Sequence, residues 1–96
     1  MSVLRRLVLD VLKPHDPPLL EFTERVSEVK SIDGVTSSLI ELDQEVQNIK
    51  LTIEGEDLNY QGIEAEIESL GGTIHSVDQV GYGEYIVEDG RTPQDD

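Results

Sequence analysis

Residues 3–13, Val-Leu-Arg-Arg-Leu-Val-Leu-Asp-Val-Leu-Lys, form the one strongly apolar run long enough to cross a domain. Odd positions contribute Val3, Leu7, Leu9 and Val11; even positions contribute Leu4, Val8 and Leu12. A strand with two apolar faces is normally covered on both. The run therefore reads as a central strand, and the rest of the chain must supply its neighbours and its cover.

Pro14, Pro17 and Pro18 end extended pairing and pre-set the start of a helix. Leu19, Phe22, Val26 and Val29 follow at spacings of three, four and three, which predicts an amphipathic helix over 18–30. Glu21, Glu24, Arg25 and Glu28 take its outer side. After a turn at 31–34, the alternating, β-branched stretch 35–42 predicts a second strand, and 43–47 a hairpin connection. Residues 48–54 alternate, with Ile49, Leu51 and Ile53 on one face and Lys50, Thr52 and Glu54 on the other. Gly55-Glu56-Asp57 breaks that strand. Tyr60, Ile63, Ile67 and Leu70 then form a second helical stripe, N-capped by Asp57 or Asn59 and ended by Gly71-Gly72. A last strand over 73–80 is interrupted at Gly81-Tyr82-Gly83, with 85–87 as a short extension.

The order β-α-β-β-α-β is the split βαβ, or ferredoxin-like, pattern. It predicts an α+β sandwich, a four-stranded antiparallel sheet with two helices on one face. One such domain spans 1–88, and 89–96 form a polar C-terminal tail. Strands one and three are expected at the centre, running parallel. Two helices cover one sheet face. The other would present Leu4, Arg6, Val8, Asp10 and Leu12, then Lys50, Thr52 and Glu54, with Ile40 and Leu42 from strand two unless a bulge shifts their register. Apolar residues mixed with both signs of charge mark an interface. A further subunit, making a homo-oligomer, is the expected cover.

Seven basic residues against 21 acidic ones leave a net charge of −14. The acids are scattered from Asp16 to Glu68 rather than gathered in a block, which describes an acidic coat on a folded domain. Salt screens such self-repulsion, with a Debye length of ~3 Å at 1 M. A halophilic, high-salt cytoplasm fits the coat; the alternative is an acidic patch for cations or a basic partner. Nucleic acid is disfavoured, because binding it needs Lys and Arg against phosphate. Base-stacking aromatics are also absent from strands one and three. The chain has no cysteine, which excludes disulfides and thiolate metal sites. No window nears the ~18 apolar residues of a membrane span, and no signal-peptide pattern opens the chain. A cytoplasmic location away from membranes is the simplest expectation.

RRLVLDVLKPH near the start, IEGEDL, LGGTIHSVDQV and the closing IVEDGRTPQD resemble an archaeal family of uncharacterised proteins, domain of unknown function two-one-one (DUF211). The resemblance covers essentially the whole chain. It implies a ferredoxin-like fold and a homo-oligomer, and it implies no activity. The chain departs from the family pattern at Ser37, where members carry a longer aliphatic residue, and at acids that replace Lys or Arg.

Two groups of residues are candidate ligand sites. Arg6 and Asp10 on strand one, His15 before helix one and His75 on the last strand could form an intersubunit ligand site, with His75 meeting Asp10 if a bulge turns it over. The competing reading has these side chains satisfying one another in an interface, and Pro14-His15-Asp16 serving as a turn and helix cap. A phosphate cradle there fails, since Pro17 and Pro18 remove backbone N–H groups and Asp16 and Glu21 repel an anion. Glu41, Asp43 and Glu45 alternate along the strand-two hairpin and could hold calcium or magnesium. The competing reading is a solvated acidic edge, because no EF-hand spacing accompanies them. Catalysis has little support: nucleophile elbow, P-loop and dinucleotide fingerprint are all missing, and no catalytic residue is assigned. The expectation is a non-enzymatic oligomeric binding module for a small molecule or divalent cation at subunit boundaries. The alternatives are an enzyme with an intersubunit site and a purely structural assembly protein.

Overall fold

The computed structural model describes residues 2–87. The expected polar tail at 89–96 lies outside these residues. Six elements follow in the order β1 (Leu4–Pro14), α1 (Leu19–Ser27), β2 (Gly34–Leu42), β3 (Val46–Glu54), α2 (Tyr60–Ser69) and β4 (Thr73–Tyr82). They form one four-stranded sheet in the order β2-β3-β1-β4, with both helices packed on one face. This is the ferredoxin-like α+β architecture. All three strand pairs are antiparallel, so β1 and β3 do not run parallel as expected. The α1 crossover leaves β2 parallel to β1. The tight β2–β3 turn then reverses the chain, and β3 enters between them antiparallel to both.

The core lies between the helices and one sheet face. Leu7, Leu9 and Val11 of β1 and Ile49, Leu51 and Ile53 of β3 are at most 1% exposed, and so are Phe22, Val26, Ile63 and Ile67 of the helices. Full burial of each such side chain stabilises by about 1.5–3 kcal/mol. Leu4, expected on the other face, belongs to this core. The register of β1 against β4 shifts between Leu4 and Arg6, which turns Leu4 over.

Helix α1 is shorter than the spacing predicts. Its N-cap is Pro18 with no side-chain cap bond, so neither His15 nor Asp16 caps it. Val29 lies beyond its end yet still packs on the core. In α2 the cap is Asn59, not Asp57: its side chain accepts a hydrogen bond from the Gly62 amide at 3.2 Å. Gly71 follows the helix at φ 88°, a conformation that favours glycine. Strand β4 continues through Gly81 to Tyr82, and residues 85–87 add no strand. Ser37 packs on α1 through its hydroxyl, 2.6 Å from the Thr23 Oγ1. Among the described residues no helix is long and apolar enough to cross a membrane.

Candidate functional site on the open sheet face

Among the described residues, the face away from the helices has no second layer. Cross-strand register places Arg6, Val8, Asp10 and Leu12 of β1 on it, opposite Glu54, Thr52, Lys50 and Asn48 of β3. On the other side of β1 lie Gly81, Gln79, Ser76 and Thr73 of β4. Alternation along β1 explains this placement, because the odd positions are committed to the core.

Three register shifts shape the face. Opposite β1 in β4, the shifts between Val8 and Leu9 and between Asp10 and Val11 leave Asp78 and His75 unmatched. In β2 the shift between Leu39 and Glu41 leaves Ile40 unmatched. Each unmatched residue is re-aimed, as bulges commonly do. Ile40 and Asp78 border a hollow of about 190 Å³ with Asp10, Asn48 and Lys50. His75 borders a larger one, about 510 Å³, with Asp10, Leu12, Glu41, Leu42, Asp43, Val46 and Asn48. The condition set for a His75–Asp10 meeting, a bulge in β4, is therefore present.

Of the four predicted ligand residues, the structure gathers two. Asp10 and His75 share the larger hollow, where Asp10 accepts a hydrogen bond from Asn48 Nδ2. Arg6 lies four residues along β1, donating through Nε to Gln79 and through Nη1 to Glu54. His15 is exposed, with Nε2 2.9 Å from the Asp43 backbone oxygen, so it tethers the 14–16 loop to the β2–β3 turn. The acidic trio is also divided. Glu41 and Asp43 border the hollow, Glu45 does not, and Asp43 Oδ1 accepts from the Gln44 amide at 2.6 Å. Among the described residues no three His, Asp or Glu side chains are grouped to hold a metal ion.

One residue escaped the sequence reading. Lys13 is fully enclosed on the helix side, its Nζ donating to the Pro14 carbonyl at 2.6 Å and lying 5.8 Å from the Phe22 ring centre. Burial pushes its ammonium below the ordinary lysine range, against the attraction of Asp16. Across the ladder from it, Gln47 buries an Oε1 that has no donor among the described residues. The signal was available: Lys13 continues the series Leu7, Leu9, Val11.

The fold and its uncovered face define a small ferredoxin-like domain with one open sheet surface. The chain belongs to the DUF211 family, described as "Uncharacterized ArCR", whose model matches residues 5–96. It is 48% identical over 95 residues to the uncharacterized protein MJ0319 of the archaeon Methanocaldococcus jannaschii, covering 99% of this chain and 98% of that one.

Proposed function

We propose that the chain is a non-enzymatic, oligomeric binding module whose open sheet face is covered by a second copy. One observation carries the reading: among the described residues this face is a single layer of side chains in which both signs of charge mix, in a protein of net charge −14. Sheet faces are stable when packed against another layer. Half-buried Leu12 and exposed Ile40 supply apolar surface there, Val8 being already buried in the single chain, and Arg6 and Lys50 supply positive charge beside Asp10, Asp78 and Glu54. The outer sides of the helices set Glu21, Glu24, Glu64 and Glu68 against the single Arg25, so two such surfaces would bring mainly like charges together. A two-fold interface must be self-complementary, and a face with both signs meets that condition.

The hollow around Asp10 and His75 then lies at the boundary between copies. Its carboxylates suit a small ligand with a positive group, or a divalent cation completed by oxygen ligands of the second copy. Lys50 is exposed in the single chain, so its replacement leaves the core untouched. Lys50→Glu adds a negative charge beside Asp10 and Asp78. Light scattering after size exclusion is expected to show a smaller species for this variant, with unchanged circular dichroism. A variant of unchanged mass refutes the covered face.

A further inference from the structure

The two sheet edges carry a second surface, independent of the open face. Six of the nine exposed large apolar side chains among the described residues lie on the edge strands: Leu39, Ile40 and Leu42 on β2, and Val77, Val80 and Tyr82 on β4. In a chain that is 29% charged, each edge strand holds a single formal charge, Glu41 on β2 and Asp78 on β4. Neither has the Lys or Pro that usually blunts a free edge. Bulges at His75 and Asp78 do interrupt β4, so regular backbone pairing there is confined to short runs.

We propose that the β2 edge of one copy pairs with the β4 edge of the next, joining copies head to tail into a continuous sheet. Strand direction favours this pairing. Since β2 runs with β1 and β4 runs against it, a copy placed alongside sets β2 antiparallel to its neighbour's β4. The helices of both copies then stay on one face. Side chains also match: Leu39 lies in register with Ile49 on the helix side, as Val77 and Val80 do with Leu9 and Leu7, while Leu42 at the strand end, in register with Gln47, also borders the larger hollow. Across the junction these exposed residues shield one another beside the α1 flank, where Leu20 is 86% exposed. Two chains of net charge −14 repel, and the nearly neutral edges are where they approach at least cost. A head-to-tail contact uses two different surfaces, and it closes a ring or extends a filament according to the rotation between copies.

Leu39→Lys and Val80→Lys test this, at sites 48% and 55% exposed in the single chain. Each is expected to give a smaller species than the parent by light scattering, with circular dichroism intact. Mixing the two restores a larger species, since each variant retains one good edge. Val77→Lys, at 45% exposure, should repeat the Val80→Lys result and guards against a local folding fault. If Val80→Lys keeps the parent mass, or if the mixture gains none, head-to-tail pairing is wrong. A loss of mass in Lys50→Glu together with no loss in the edge variants rejects this inference and leaves the open-face reading standing. A foreign strand as the true occupant would show as a parent protein unaffected by either lysine.

Discussion

Replacing Lys13 by Met tests the physical reading of the core at its least ordinary point. The methionine retains an unbranched stem of similar volume in a site that is fully closed to solvent. The change removes one charge-assisted hydrogen bond, from Nζ to Pro14, worth about 1.5–3 kcal/mol. It also removes the approach to the Phe22 ring, worth roughly 0.5–2 kcal/mol. Against these stands the desolvation of an ammonium, several kcal/mol even after relaxation. The lowered pKa of Lys13 shows that desolvation outweighs the attraction of Asp16. Lys13→Met is therefore expected to stabilise by about 1–2 kcal/mol at neutral pH. Thermal melting should register this as a rise of roughly 4–8 °C for each kcal/mol.

The pH dependence has a definite sign. Below the lowered native pKa both folded and unfolded chains hold the proton, and the full penalty persists. Between that value and the ordinary 10.5 the unfolded chain binds more protons, so stability of the parent rises with pH. The advantage of Met should shrink across this window. Tyr60, whose pKa is raised first by burial and then by Glu64 and Glu68, works in the opposite direction above 10, but it does so in both proteins and cancels. A variant less stable than the parent at neutral pH, or one whose advantage is unaltered up to pH 10.5, refutes the argument.

Gly55→Ala should destabilise by about 1–3 kcal/mol in chemical denaturation, since a Cβ there would lie 2.3 Å from the Ser31 carbonyl oxygen and 2.7 Å from Leu58 Cδ2. Asn59→Ala should lose about 1 kcal/mol in the same assay through the cap bond to Gly62, while Asp57→Ala changes stability far less. Melting temperature should rise as salt is raised from low to molar concentration, because the self-repulsion of net charge −14 is screened; a flat response would contradict the acidic-coat reading.

Periodicity made the elements legible. The stripe Ile63–Ile67 and the alternation Ile49–Leu51–Ile53 each record a buried face, and the core side chains at these positions are fully enclosed. What escaped was set by relations between strands. That β1 and β3 run antiparallel follows from the α1 crossover and the β2–β3 hairpin taken together, which is a matter of connections and not of any residue in either strand. The placement of Leu4 depends on a register shift against β4, which a period-two reading carries straight through. Asp10 and His75 were legible as a pair only on condition of a bulge, and the bulge is a property of pairing rather than of TIHSVDQV read alone. Arg6 and His15 were grouped with them on chemistry, while strand spacing separates Arg6 along β1 and the 14–16 loop holds His15 against Asp43. Lys13 was hidden for a different reason: its charge argued for solvent, and the alternation that placed it inside was the better guide.

The most direct measurement of the central claim is the molar mass of the parent chain in solution, by light scattering after size exclusion, at low and at molar salt. Assembly through the sheet predicts a multiple of the 10.7 kDa chain at molar salt, where repulsion between acidic copies is screened. A species of 10.7 kDa under both conditions would contradict it, and the open face and the two edges would then have to be met by a different protein.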